Sequence, residues 1–193
     1  RSPSRFGGGD LGRERTLALN VLFSCLPGVP VLYQGEELGL VDGRVPPEAI
    51  LDPVDSGRDG CRTPMPWQPG PRTGFTTGEP WLYSDPRTDD ETAQAQVNHP
   101  GSWHSRYTDL LAARRELPDL VNEPVVWTDG SDGPVIAYRR GPVTVVANTS
   151  GYAHQVEVPV GGTVAYATPG VVAADEGHLS LTAHGAAILV TPA

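Results

Sequence analysis

The sequence has few cysteines. Cys25 and Cys61 are the only two, the first within an apolar helical pattern and the second in a glycine-rich loop. Two such isolated residues form neither a disulfide framework nor the paired spacing of a zinc site. We therefore expect two reduced thiols in a cytoplasmic protein, and a single bridge between them is also compatible with the sequence.

Basic residues and long hydrophobic runs are also scarce. The chain has 14 Lys and Arg against 23 Asp and Glu, a formal net charge of −9. Because affinity for phosphate backbones and anionic lipids depends on clustered Lys and Arg, we exclude nucleic acid and membrane partners. The longest apolar run, residues 17–32, is broken by polar residues and prolines, whereas a bilayer span needs about 20 mostly apolar residues. No secretory signal opens the chain, and its start at Arg1 suggests a processed or truncated product.

Turn-forming residues, by contrast, are abundant. The chain holds 23 Gly and 20 Pro among 193 residues, and 38% of its residues are hydrophobic, enough for a core. This composition predicts a globular protein with long loops. The length allows one large domain or two small ones, since domains usually have roughly 100–200 residues.

The first part of the chain predicts an α/β unit. Asp10 can cap a helix that runs to about Leu26 and is apolar nearly all round, which is typical of a helix buried on several sides. Pro27 and Gly28 end this helix. Residues 29–33 then form a short apolar run, typical of a parallel strand covered on both faces.

The rest of the chain changes character twice. Residues 34–101 show almost no apolar periodicity, and a segment this long and irregular is normally functional or disordered. Ser102 can cap a second helix, which Pro118 ends. Beyond it, short β-type runs separated by turn residues predict a small antiparallel β-sandwich. These runs are residues 125–127, 135–139, 143–148, 154–158, 163–167 and 186–190.

Glu36 and Glu37 are the first candidates for chemistry. Retaining glycosidases need two carboxyl groups about 5–5.5 Å apart. Adjacent residues on an extended backbone point to opposite sides, so these two carboxylates seldom reach one bond. We interpret them as loop residues that bind backbone or basic groups.

Arg62 is the most informative charged residue. It lies between loop formers and the aromatic residue Trp67, where it could pair with a carboxylate or hold sugar hydroxyls. The alternative is a loop-stabilising arginine. The five histidines lack metal-ligand spacing, and Gly7–Gly9 lacks the phosphate-binding patterns, so we expect neither a metal nor a cofactor.

Three segments together resemble the oligo-1,6-glucosidase and maltase branch of glycoside hydrolase family 13. They are RSPSRFGGG at 1–9, PGVPVLYQGEELGL at 27–40 and GRDGCRTPMPW at 57–67. The resemblance implies α/β plus all-β architecture, with the C-terminal segment of a (β/α)8 TIM barrel followed by a small antiparallel β-sandwich domain. The barrel part would be residues 1–117 and the sandwich 118–193. Residues 29–33 would be the eighth barrel strand.

The resemblance also implies function. The complete protein would be a retaining, exo-acting α-glucosidase that hydrolyses α-glucosidic bonds of short oligosaccharides. The family's order places its catalytic carboxylates before Arg1, so none is expected in this chain. Arg62 matches an arginine that helps to fix the terminal glucose, and Arg1 matches the arginine after the family's Asn-His-Asp motif. These two are the predicted substrate-binding residues.

Two other interpretations remain open from the sequence. One is a non-catalytic glycan-binding module with Trp127 or Tyr152 as an aromatic platform. The other is a structural subunit that completes another chain's barrel. In the enzyme interpretation the partners are α-linked glucose oligosaccharides and the remainder of the barrel, whether an N-terminal part of the same protein or a second chain.

Overall fold

A computed structural model of the chain describes residues 1–53, 57–128, 133–173 and 177–192. It divides into two compact units. The first comprises Arg1–Arg13 and Leu32–Tyr107, and the second comprises Glu14–Val31 and Thr108–Ala193. Residues 14–31 thus group with the β-rich region. The predicted domain boundary near Leu117 stays a prediction for the complete protein.

The first unit is built mainly from irregular loops. Its helical segments are α1 (Ser2–Arg5), the beginning of α2 (Gly9–Ser24), α3 (Ala93–Gln96) and the beginning of α4 (Trp103–Glu116). Between them lie single 3-10 turns at Glu36–Leu38, Pro47–Ala49, Gly60–Arg62, Pro71–Gly74 and Asp89–Glu91. A small apolar cluster of Leu38, Leu40, Met65 and Ala93 holds the loops together. The irregular structure that the sequence indicates for residues 34–101 is confirmed in the described residues.

Helix α2 begins at Gly9, two residues earlier than a helix capped by Asp10 would. Asp10 therefore lies inside the first turn, where its carboxylate accepts a hydrogen bond from Arg13 Nη1 at 3.0 Å. Gly12 is required at its position, because a Cβ there would lie 2.0 Å from the carbonyl oxygen of Pro3. Leu17 and Val21 are buried as predicted, but Phe23 is exposed, so the helix is not covered all round.

The predicted strand at residues 29–33 is not formed. This segment has no strand assignment, and Val29 and Val31 are 88% and 83% exposed. The prediction was wrong for this chain because a parallel strand exists only through hydrogen bonds to neighbouring strands. The described residues contain no strand paired with this segment.

Helix α4 matches the prediction closely. Ser102 precedes it, and the Ser102 hydroxyl accepts a hydrogen bond from the backbone N–H of Ser105 at 3.1 Å. This is the N-cap contact that the sequence predicted. Tyr107 and Leu110 of the predicted apolar stripe are buried, whereas Leu111 is 36% exposed.

The second unit contains eight described strands in two antiparallel sheets. The larger sheet has the order β1-β2-β3-β8-β5 and the smaller one β4-β7-β6. The strands are β1 (Val126–Trp127), β2 (Val135–Arg140), β3 (Val143–Asn148), β4 (His154–Glu157), β5 (Thr163–Ala167), β6 (Val172–Ala173), β7 (His178–Leu181) and β8 (Ala186–Val190). Six were predicted within a residue or so, whereas β6 and β7 were missed.

The larger sheet is covered on both faces. One face shares an apolar core with the smaller sheet, formed by Val146, Leu179, Leu181, Ala187 and Leu189. On the opposite face, the Tyr138 hydroxyl donates to the carbonyl of Leu22, and Arg140 Nη1 donates to the carbonyl of Cys25 at 2.7 Å. Helix α2 is thus part of the core of this unit.

Candidate functional site

The turn that carries Arg62 is fixed by its own backbone. The 3-10 turn Gly60–Arg62 closes with a hydrogen bond from Arg62 N–H to the Asp59 carbonyl at 3.0 Å. The buried Asp59 carboxylate accepts from the backbone N–H groups of Leu51 at 2.6 Å and Asp52 at 3.0 Å. These bonds tie residues 51–52 to the turn.

Asp52 joins two arginines. Its side chain is only 1% exposed and accepts Arg58 Nε at 2.6 Å and Arg58 Nη2 at 2.7 Å, a bidentate pair. Arg62 Nη1 lies 3.3 Å from Asp52 Oδ2. The hydrogen bond to Asp52 raises the pKa of Arg58. Asp52 therefore positions both guanidinium groups, and sequence reasoning missed it because nothing in ILDPVDSGRDG distinguishes it from the neighbouring aspartates.

Arg62 keeps hydrogen-bonding capacity for a ligand. Its side chain is 41% exposed, and Asp52 is the one hydrogen-bond partner of its guanidinium among the described residues. A guanidinium has five N–H donors in a fixed fork, so it can bind a carboxylate and still donate elsewhere. Arg62 can thus donate to a sugar hydroxyl or a second carboxylate while Asp52 holds it.

Arg1 has a different environment. Its side chain is buried, and all three guanidinium nitrogens donate to the chain itself at 3.1–3.3 Å. Burial is the main cause that lowers its pKa. The acceptors are the carbonyls of Gln34, Val41, Gly60 and Thr63 and the Thr63 hydroxyl. Arg1 thus connects the loop after residue 33 to the Arg62 turn, and a substrate contact by Arg1 stays a prediction.

Glu36 and Glu37 bind backbone groups, as predicted. Glu36 is buried, and its carboxylate accepts from the N–H of Ser2 at 2.9 Å and of Tyr33 at 3.4 Å. Glu37 accepts from the N–H of Gly35 at 2.8 Å. Each carboxylate therefore stabilises a turn, and the two do not act as a pair.

Tyr33 and Cys61 lie beside the Arg62 turn. The Tyr33 hydroxyl is 4.0 Å from Cys61 Sγ, and this thiol donates to the carbonyl of Arg58 at 3.0 Å. Partial burial and the neighbouring thiol raise the pKa of Tyr33. Both cysteines are free, and Cys25 is buried, so the bridge left open by the sequence is not formed.

The described part of the chain has neither a metal-binding cluster nor a membrane-spanning helix. No cluster of three or more His, Cys, Asp or Glu side chains there could hold a metal ion. None of its helices is long and apolar enough to cross a membrane.

Comparison with known proteins identifies the family of this chain. A family model described as the alpha-amylase catalytic domain matches residues 1–123. The chain belongs to the alpha-amylase family. This family is glycoside hydrolase family 13, the one that the three sequence segments resemble.

Curated relatives of this family member are glycosidases. The chain is 30% identical over 188 residues to an oligo-1,6-glucosidase of Halalkalibacterium halodurans, covering 82% of this chain and 34% of the relative. It is 31% identical over 190 residues to a trehalose-6-phosphate hydrolase of Escherichia coli, covering 78% and 32%. The chain spans about a third of the length of the curated relatives it matches.

Solved structures of related enzymes share the fold. The alpha-glucosyl transfer enzyme XgtA matches with a TM-score of 0.81 at 31% identity, over 100% of this chain and 38% of that one. A mutant of the trehalulose synthase MutB in complex with its substrate sucrose matches with a TM-score of 0.83 at 25% identity, over 98% and 41%. Such neighbours are barrel enzymes of the family, consistent with a partial barrel and a β-rich region.

Proposed function

We propose that the chain forms the Arg62 side of the glucose pocket in a retaining, exo-acting α-glucosidase of short α-linked oligosaccharides. The observation that carries this proposal is the hydrogen bonding of the Arg62 guanidinium. Asp52 holds its guanidinium from one side, while its other donors have no hydrogen-bond partner among the described residues. The relatives named as glucosidases support the substrate class.

The proposed reaction is a double displacement. A carboxylate attacks the anomeric carbon, a carboxylic acid protonates the leaving oxygen, and water then releases the sugar with its α configuration retained. We propose that these carboxyl groups belong to sequence outside this chain. Arg62 would bind the substrate and orient it, and Arg1 would position the Arg62 turn or, as the resemblance implies, contact the substrate.

The remainder of the barrel is the proposed macromolecular partner. The exposed side chains of Val29 and Val31 support this, because neighbouring exposed apolar side chains commonly mark a surface that contacts another part of a protein. A cytoplasmic location is part of the same proposal. The non-catalytic alternatives, a glycan-binding module or a barrel-completing subunit, predict no effect of Arg62 on turnover.

Glucosyl transfer is a second candidate. The XgtA and MutB structures are of a glucosyl transfer enzyme and a trehalulose synthase. Transfer and hydrolysis share the first displacement and differ only in whether a sugar or water accepts the glucosyl group. Product analysis of the complete enzyme with maltose, isomaltose, sucrose and trehalose distinguishes them.

Substitution of Arg62 in the complete enzyme tests the pocket. We expect Arg62→Lys to lose much of kcat/KM and Arg62→Ala to lose more, because Lys keeps the charge but not the fork of donors. Loss of one charged hydrogen-bonding group commonly costs about 2–4 kcal/mol in transition-state stabilisation, roughly 30-fold to 1000-fold. Steady-state kinetics on maltose-type substrates measure the loss.

Arg72→Ala is the matched control, because Arg72 is also a loop arginine and pairs with Glu79. We expect it to retain near-normal kcat/KM. If Arg62→Ala also retains wild-type kcat/KM while its melting temperature falls, Arg62 is a loop anchor and the pocket role is wrong.

A further inference from the structure

The second unit contains a cleft between its two sheets, distinct from the Arg62 turn. It has a volume of about 760 Å³. Ligand sites are typically about 300–1,000 Å³, mostly apolar, with a few placed polar groups. The apolar lining includes the core residue Val146 and the residues Val135, Ala137, Val156 and Val158, which pack against that core. Val126, Trp127, Pro134 and Pro159 complete it. We call it the intersheet cleft.

Two polar residues are neighbours on the adjacent strands β2 and β3 in this cleft. Arg139 pairs with Thr144 in the antiparallel register, so their side chains lie side by side on one face. Alternation along the strands places Arg139 on the side of Ala137, and Thr144 on the side of Val146, which is the face toward the smaller sheet. Both residues line the cleft.

Neither side chain has a hydrogen-bond or ion-pair partner among the described residues. Thr144 is only 4% exposed, and its hydroxyl is the single buried side-chain oxygen or nitrogen there without a hydrogen-bond partner. Leaving a buried hydroxyl without a hydrogen-bond partner destabilises the folded chain. Rotation about one side-chain bond exchanges this hydroxyl with the methyl group. Arg139 is exposed and has no ion pair in that part of the chain.

Among the described residues that line the cleft, Glu157 has the one carboxylate, and it forms no ion pair with Arg139. Glu157 is exposed and alternates with the inward-facing Val156 and Val158, so its carboxylate belongs to the outer face of β4. His154 is held by the Ser150 hydroxyl at 2.9 Å. The described lining of the cleft thus combines valine side chains with the Arg139 cation and the unpaired Thr144 hydroxyl, beside the polar residues Thr128, His154, Gln155 and Glu157.

We propose that the intersheet cleft binds a small amphipathic carboxylate. Its aliphatic body lies along the valines, and its carboxylate accepts hydrogen bonds from the Arg139 guanidinium and the Thr144 hydroxyl. A guanidinium matches a carboxylate in geometry and charge. A neutral sugar fits less well, because it would leave the charge of Arg139 without a counter-ion. Trp127 also lines the cleft, and its ring packs edge-on against Tyr138, with the ring centroids 5.5 Å apart.

Titration of the 193-residue chain with octanoate tests this site. We expect saturable binding with a dissociation constant of about 1 mM or below. Methyl NMR signals of Val146 and Thr144 should shift. Octan-1-ol has the same tail without charge and octylamine has the opposite charge, so we expect both to bind much more weakly.

Two substitutions locate the carboxylate. Arg139→Gln should weaken octanoate binding about tenfold or more, because it removes the charged donor. Thr144→Val keeps the side-chain shape and should weaken binding several-fold. Arg115→Gln, which removes the same charge from an exposed position on α4, should leave the affinity unchanged.

The selectivity of the unsubstituted chain decides the proposal even if a variant fails to fold. Equal binding of octanoate and octan-1-ol would show an apolar groove without a carboxylate site and overturn it. So would the absence of octanoate binding, or an affinity that Arg139→Gln leaves unchanged. The experiment involves no glycosidase activity, so its outcome is independent of the function proposed for the Arg62 turn.

Discussion

At the residue scale, two arginines that look alike in sequence have different environments. Arg1 is buried with every guanidinium nitrogen donating to loop acceptors, whereas Arg62 is held by Asp52 and keeps free donors in the described part of the chain. The resemblance selected both as substrate-binding residues. Their spacing in sequence contains no information on burial, so only the folded loops separate a positioning arginine from one available to a ligand.

His184 provides a pH-dependent contribution to stability. It is buried, its Nε2 accepts from Arg15 Nε at 3.4 Å, and burial followed by the charge of Arg15 lowers its pKa from the ordinary value of 6.5. Glu14 acts in the opposite direction. The unfolded chain binds this proton more readily, so the contribution is complete above about pH 6.5 and is lost as the pH falls through the lowered pKa.

We expect the urea concentration at the midpoint of unfolding to decrease when the pH is lowered from 7.5 to 5.5. The substitution His184→Asn should make this decrease smaller. Asn does not titrate and tolerates the left-handed backbone of His184, which has a φ of 55°. His178→Asn removes an exposed histidine and is the control, expected to leave the decrease unchanged. An identical pH dependence in both variants would exclude His184 as its source.

At the element scale, helix α2 belongs to the core of the β-rich unit. Tyr138 is fully buried, and Arg140 nearly so, on the face of the larger sheet that contacts residues 22 and 25. Arg140 also donates to the carbonyls of Leu120 and Glu123. The β-type run at residues 135–139 predicted a strand, but not which helix covers the second face of its sheet.

A polypeptide of residues 118–193 should therefore be less stable than the same strands in the 193-residue chain. Loss of helix α2 exposes the Tyr138 side chain and leaves Arg140 without one of its acceptors. Chemical denaturation followed by circular dichroism compares the two. Equal midpoints would show that the β-sandwich folds independently of α2, as the sequence-based boundary implies.

Matched tyrosine variants separate this contact from general truncation effects. Tyr138→Phe removes only the hydroxyl that donates to Leu22 and should cost about 0.5–1.5 kcal/mol in the free energy of unfolding. Tyr152→Phe removes a hydroxyl from a largely exposed residue and should cost close to nothing.

At the scale of the whole molecule, the chain corresponds to about a third of its glycosidase relatives. The buried carboxylates of the first unit have structural partners: Glu36 binds backbone N–H groups, Asp52 binds arginines and Asp59 binds backbone N–H groups. These groups fix loops, and none is placed as an acid beside a nucleophile.

We therefore expect the 193-residue chain alone not to hydrolyse an aryl α-glucoside. Transition-state stabilisation in this chemistry depends on two catalytic carboxyl groups, which we propose lie outside this chain. Release of the aryl group is followed by absorbance, with a mock preparation as the control. Turnover above that control would show that the chain carries its own catalytic carboxylates.

The sequence by itself determined the family, the irregular character of residues 34–101, the helix capped by Ser102 and most strands of the β-rich region. Local signals suffice for these features: short motifs, turn residues and hydrophobic periodicity all act over a few residues. The strand predicted at 29–33 failed because a strand depends on partners elsewhere. Only the tertiary structure decided that Asp52 holds Arg62, that helix α2 covers the larger sheet and that Arg139 lies beside Thr144, since each joins residues by packing and hydrogen bonds that no local pattern encodes.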